Sequence, residues 1–236
     1  MKIKSSKRFK KLLELSKDKK TESIENAIQK VKKNCTSKFD ESIDASFLLN
    51  LKSKKEELNL RTIVNLPNGN GKKIKVAVLC EESKINEAKD SGAEPFGSDN
   101  LINDIMSGKI NFDKLIATPA MMSKMGKLGK ILWPKWLMPN PKLGTVTNDI
   151  KSSVKALKSG QIEIKNYKDG NLAASIGKKS FPDKKIEENY EAIKQTILKE
   201  KPNGVKGDFI LSAFLTSTMG VSYKLKLKGW HYDKQK

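Results

Sequence analysis

The stretch LPNGNGKKIKVAVLC, residues 66–80, joins two differently patterned parts of the chain. Its first half crowds Pro67, Gly69 and Gly71 together, a combination that interrupts regular structure. Its second half, KIKVAVLC, is the continuous apolar run of a strand buried on both faces, as in parallel sheets. The break therefore marks the entrance to a second folding unit.

Upstream, Phe9, Leu12, Leu13 and Leu15 predict a helix over 7–15. Ile24, Ala27, Ile28 and Val31 predict another over about 23–34, capped by Thr21 or Ser23. The period then becomes two: Phe39, Ile43 and Ala45 lead into FLLNL, with LRTIVNL (60–66) as the expected hairpin partner. Downstream, helices are expected over about 83–92, 98–106, 121–132 and 150–158, with strands near 94–96 and at 114–119. This alternation predicts a small, mostly parallel sheet with helices on both faces.

Period two returns at QIEIKNYKDGN, where Asp169-Gly170 is the expected hairpin turn into LAASIGK. Ile186, Tyr190, Ile193 and Ile197 predict a long helix over 183–199, and FILSAFLTS and VSYKLKLKG read as closing strands. The fold class is thus α/β and α+β in two domains: an α+β domain from 1–67 plus 159–236, with an α/β domain, 68–158, inserted. The two crossings, at Pro67-Asn68 and Ser159-Gly160, form a natural hinge.

The 236 residues carry a formal charge of +20, which opposes compaction and is ordinarily offset by a polyanion. Residues 68–158 hold 15 Lys against 9 Asp/Glu, a net +6, leaving +14 on the two terminal parts. Lysine greatly outnumbers arginine, so the surface favours phosphate affinity over bidentate base readout. No apolar run approaches the ~20 residues of a membrane span. The beginning MKIKSSKRFKKLLELSKDKK lacks a secretory core and the arginine-rich, acid-poor pattern of a transit peptide. Cys35 and Cys80, far apart and without metal spacing, read as reduced, partly buried thiols.

Enzyme chemistry finds little footing. The only histidine is His231, five residues from the end, and no triad can be built without another. GNGKK at 69–73 meets neither the phosphate-loop nor the dinucleotide fingerprint, and reads as a linker turn. A nucleotide-dependent enzyme on the α/β domain would require a phosphate loop and catalytic residues. No catalytic residue, metal site or cofactor is expected.

The segment LMPNPKLGTVTNDI, 137–150, is similar to the signature of the bacterial-type ribosomal large-subunit stalk protein family, known as L-one. SKFDESIDA (37–45), LRTIVNLPNGNGKK (60–73), KLIATPAMM (114–122), IGKKSF (176–181), KPNGVKG (201–207) and LTSTMG (215–220) follow the family's order. The resemblance spans about residues 5–228. It implies a split α+β sandwich with an inserted Rossmann-like three-layer domain, joined by a two-strand hinge.

It further implies a monomer in the ribosome, in the cytoplasm or an organellar matrix, that binds a large-subunit rRNA junction. The stalk built there helps deacylated tRNA leave the exit site, and bacterial members commonly repress their own-operon mRNA. A free mRNA-binding repressor without a ribosomal role is the alternative reading, served by the same surface.

On this resemblance the RNA-binding residues are Lys38, Phe39, Ser42, Thr216, Ser217, Thr218, Met219 and Gly220. Hydroxyls suit 2′-hydroxyls and base edges, Met219 offers a polarizable cap, and Gly220 permits close backbone approach. By spacing alone Phe39 and Met219 read as core residues. Lys7, Arg8, Lys10 and Lys11, and Lys127, Lys130, Lys135 and Lys142 around the PNPK loop, are candidates for secondary contacts.

The chain departs from the family at Trp133-Pro134-Lys135-Trp136, where glycine-proline-basic-glycine is usual. Asn68 and Ala173 replace common histidines, Thr62 a glycine and Val221 a proline. A tryptophan cannot be neutral where a glycine's φ is positive.

Overall fold

A computed structural model describes residues 6–15, 21–50, 60–167, 169–202, 205 and 207–227. The chain divides into two compact units, one from residues 1–71 and 162–236, the other from 72–161. His231 and part of the 201–207 motif lie outside the described residues.

In the first unit α1 (Lys7–Leu15) and α2 (Ile24–Lys33) precede β1 (Ser42–Leu49) and β2 (Arg61–Asn65). β6 (Gln161–Lys165), β7 (Asn171–Lys178), α8 (Asp183–Lys199), β8 (Ile210–Ser217) and β9 (Tyr223–Lys224) complete it after the insertion. The side chain of Ser23 accepts the N–H of Asn26, capping α2, and Lys30, Lys32 and Lys33 sit in its last turn, where positive charge suits the helix dipole.

The sheet runs β7-β1-β8-β9 and is antiparallel throughout. Alternate residues of β1 (Ile43, Ala45, Phe47, Leu49) are buried, sharing one core with Ala27, Ile28 and Val31 of α2 and Ile186, Tyr190, Ile193 and Ile197 of α8. The rings of Phe47 and Tyr190 stack at 5.6 Å. The period-two and period-3.6 patterns thus meet as one layer of strands under one of helices.

The expected pairing of 60–66 with the preceding strand is not formed. Both edges of β1 are occupied, by β7 and β8, and β2 instead pairs with β6 across the insertion. Arg61 Nε meets Glu163 Oε1 at 2.6 Å across this pair. The expected hairpin at Asp169-Gly170 is equally curtailed. Its turn exists, with Tyr167 N–H on Asn171 O at 2.8 Å and a bridge between Asn166 and Leu172, but the strands then diverge to different sheets. In both cases neighbours in sequence lost to partners that complete a buried face.

In the second unit β3 (Val76–Leu79) lies between β4 (Phe96–Gly97) and β5 (Lys114–Ala117), all parallel. Every residue of β3 is buried. Ala77 and Leu79 face a cluster with α4 (Asp99–Met106), α5 (Met122–Met125) and α6 (Gly129–Leu132). Val76 and Val78 face another with α3 (Ile85–Asp90) and α7 (Ile150–Ser159). Strand alternation therefore splits the core into two, and the unit has three layers. The helix expected over 121–132 is broken: a 3₁₀ turn at Pro119–Met121 leads into it and another at Gly126–Leu128 separates two single-turn helices, with Gly126 and Gly129 each opening a new segment.

Of the expected hinge residues, Asn68 is held by hydrogen bonds. Asn68 donates its N–H to Asn189 Oδ1 at 3.1 Å and its amide to Glu188 Oε2 at 2.6 Å. Fully buried Asn189 returns its own amide to the carbonyls of Gly69 (2.8 Å) and Ile176 (2.7 Å). The Pro67-Asn68 turn is thereby pinned to α8, and the change of unit follows Gly71. Gly71 has φ 74, a left-handed backbone that favours glycine, and a Cβ there would press on Lys178 and Phe181 at 3.2 Å. Ser159 and Gly160 (φ 110) end α7. No described helix is long and apolar enough to cross a membrane.

Candidate nucleic-acid interface

One end of the first unit's sheet gathers the start of β1 and the ends of β7 and β8. Ser42 lies opposite Lys178, and Ile43 opposite Ser217. The turns entering β1 (residues 35–41) and leaving β8 (218–220) therefore lie side by side, although LTSTMG and KFDES are far apart in sequence.

A buried carboxylate ties them together. Glu41 is fully buried, its Oε1 accepting the N–H of Ser37 at 3.0 Å and its Oε2 the N–H of Met219 at 3.2 Å. The Ser217 side chain also hydrogen-bonds to it. Burial alone would push the Glu41 pKa up, but the donors from Ser37, Ser217 and Met219 outweigh it and hold the group below its ordinary range. An ionised carboxylate inside the turn is thus satisfied by the two loops it joins.

Further bonds complete the frame. Thr218 Oγ1 accepts the N–H of Ser42 at 3.0 Å, and Thr218 N–H donates to Ser42 O at 3.1 Å. Arg8 brings α1 to the same place, with Nη1 on Thr36 Oγ1 at 2.9 Å and Nη2 on Met219 O at 3.3 Å. Lys179 N–H donates to Glu41 O at 2.9 Å and its Nζ to Cys35 O at 2.8 Å, while Asp40 accepts from Ser180 N and Oγ at 3.1 and 2.8 Å. Cys35 is buried and free, its thiol pushed up chiefly by burial.

Phe39 is 54% exposed and Met219 46%, so neither belongs to the core, the role that spacing alone suggested. Lys38 and Thr218 are exposed, Ser42 and Thr216 half-buried. Lys7, Lys10 and Lys11 are exposed on α1, while the guanidinium of Arg8 is spent on fastening that helix. The surface offers two apolar caps, accessible hydroxyl and backbone groups, and lysines. The two acidic residues of the KFDES turn are both engaged, Glu41 inward and Asp40 on Ser180.

One expectation needs correction and another gains a second reason. Ser217 is 4% exposed and turned toward Glu41, so its hydroxyl builds the site and is not offered to a ligand. Gly220 has a structural reason beyond backbone access: a Cβ there would lie 2.3 Å from Ser217 Oγ. SKFDESIDA and IGKKSF contain Glu41 and the Lys179-Ser180 turn without marking either, and the sequence offers Arg8 only as a phosphate contact, not as a fastener. The second unit holds Lys127, Lys130, Lys135 and Lys142, all exposed, apart from the first set.

The family model described as "Ribosomal protein L1p/L10e family" matches residues 31–221. The chain is 60% identical to "Large ribosomal subunit protein uL1" of Pelagibacter ubique over 223 residues, 94% of this chain and 97% of that one. It is 42% identical to the protein of that name from Rickettsia peacockii over 227 residues, covering 96% and 95% of the two chains. With the Rickettsia akari protein it shares 45% over 204 residues, 86% and 85%. The matched region contains the second unit's cores, most of the first unit's core, and Glu41 with its partners Ser37 and Met219, and this chain belongs to the ribosomal protein L1p/L10e family.

Proposed function

We propose that this protein is a structural constituent of the large ribosomal subunit that grips a junction of its rRNA with the Glu41-framed end of the first unit's sheet. Its family membership makes it a ribonucleoprotein component rather than an enzyme. The observation that carries the RNA reading is the outward presentation of Phe39 and Met219 by loops that a buried carboxylate locks. Locked caps suit a shaped RNA surface, because they lose little entropy on binding. Lys7, Lys10, Lys11 and Lys38 add phosphate affinity.

The mobile stalk would then consist of this protein on its junction, with the crossings after Gly71 and Gly160 as its joint and exit-site tRNA as a second partner. Repression of its own mRNA would use the same surface on an imitating RNA fold. The test is binding of the whole protein to stalk-junction RNA and to a scrambled duplex of equal length across a salt series. Tight binding to the junction alone, persisting as salt rises and collapsing in Met219→Asp, is the expected result. Equal affinity for both RNAs with a steep salt slope would mean phosphate attraction only.

A further inference from the structure

Trp133 and Trp136 are 74% and 72% exposed, the two most exposed large apolar side chains among the described residues. Tryptophan is ordinarily well buried, so two this exposed on one turn mark a contact surface. The turn is not a loose end. Leu132, immediately before it, is fully buried, and Leu137 and Met138, immediately after, pack on the same core.

Its backbone is closed by two bonds, Trp136 N–H to Trp133 O at 3.1 Å and Leu137 N–H to Leu132 O at 3.1 Å. This pair of bonds is the Schellman ending of a helix, and Trp136 holds its left-handed position at φ 58. That position favours glycine and strains a bulky side chain. The chain thus displays an aromatic at a position that suits it poorly and adds nothing to the core.

The surroundings state what would be attracted. Between Asp113 and Asp149 the chain has no acidic residue and six lysines. Lys127, Lys130 and Lys135 are exposed close to the tryptophans in sequence, Lys135 between them. Among the described residues, Lys124 alone of the six makes an ion pair, with Asp99. Aromatic faces interleaved with lysines match a polyanion that carries flat rings. A folded duplex hides those rings, whereas an unpaired strand exposes them.

The geometry points to a second RNA contact in the inserted unit, at which Trp133 and Trp136 stack unpaired nucleobases while Lys127, Lys130 and Lys135 neutralise the flanking phosphates. The contact is independent of the sheet-end surface of the first unit. Its sequence tolerance should be broad, since every base has a face to stack.

The test uses the full chain carrying Trp230→Phe, so that indole emission comes from Trp133 and Trp136. It is titrated with a twelve-nucleotide oligouridylate and with an RNA hairpin duplex of equal charge. The single strand should quench the emission and bind more tightly than the duplex. Trp133→Ala/Trp136→Ala should weaken single-strand binding at least tenfold without changing the salt slope, whereas Lys127→Gln/Lys130→Gln should flatten the slope by about 1.4.

Trp136→Gly should weaken binding while melting no lower than the parent, which separates a ligand role from a structural one. Met219→Asp should leave the quenching intact, keeping this result distinct from the sheet-end site. Absence of quenching, equal affinity for strand and duplex, or unchanged affinity in the double alanine variant would overturn the assignment. So would tryptophan-dependent self-association in sedimentation equilibrium, which would make the turn a protein contact.

Discussion

Glu41 Oε2 accepts the backbone N–H of Met219 across 178 positions of sequence. The same carboxylate holds Ser37 through its other oxygen, so one buried charge sets the spacing of the two loops that carry Phe39 and Met219. The apolar caps are only as well placed as this internal anion.

Replacing Glu41 with Gln keeps its shape but removes the charge and turns a donor toward groups that already donate. The expected loss is about 2–3 kcal/mol in urea unfolding, the scale of hydrogen bonds to a charged group. The folded pKa lies below the ordinary 4.5, so the stabilisation is full above that value and is lost as pH falls through the folded pKa. Stability of the parent should therefore drop below pH 4.5, and the Gln variant should show a shallower drop over the same range.

Phe39→Ala and Met219→Ala remove exposed side chains and should each change stability by about 0.5 kcal/mol or less. Junction-RNA affinity should nevertheless fall about tenfold. A large loss in thermal stability for either would assign it to packing.

Gly220→Ala should cost roughly 1–3 kcal/mol, because its Cβ drives the Ser217 hydroxyl away from Glu41. With Ser217 Oγ removed, the nearest atom recedes to 3.6 Å, an ordinary contact. Ser217→Ala/Gly220→Ala should thus be more stable than the sum of the single changes implies, measurable as a coupling in a double-mutant cycle.

Trp136→Gly should raise stability by about 0.5–1 kcal/mol by relieving the left-handed tryptophan. Trp133, at φ −62, should respond oppositely, Trp133→Gly costing about 1 kcal/mol. Parallel thermal melts of the two variants would show the sign reversal.

Asn189→Leu should destabilise by about 3 kcal/mol or more, since it orphans the carbonyls of Gly69 and Ile176 and the N–H of Asn68. The effect should be read in hydrogen exchange, with the Asn68 amide losing protection first.

Much of the architecture was legible because it is local. The stripe Ile186, Tyr190, Ile193 and Ile197 gave α8, and the unbroken apolar run at Val76–Leu79 gave a strand covered on both sides. Strand pairing was not, since the partners of β1 and β2 are chosen by distant segments and nearness in sequence misled. The caps at Phe39 and Met219 came from a resemblance, not from spacing. Glu41 carried no local mark, because only the fold brings a serine and a methionine N–H to it. Ser217 looked accessible for the same reason: the carboxylate that turns it inward lies at the other end of the chain.

The wide separation of Glu41 from Met219 also sets an order of events during synthesis. The inserted unit has its own sheet and cores and is complete once residue 161 has been made. The Glu41-framed end of the first unit's sheet must wait for β8 and the turn behind it. At about 5–20 residues per second, roughly 10–35 s pass between translation of Glu41 and of Met219. Throughout that interval a nascent chain carries the lysines of α1 without its locked caps. The locked arrangement of the two loops therefore waits for a segment made after the inserted unit.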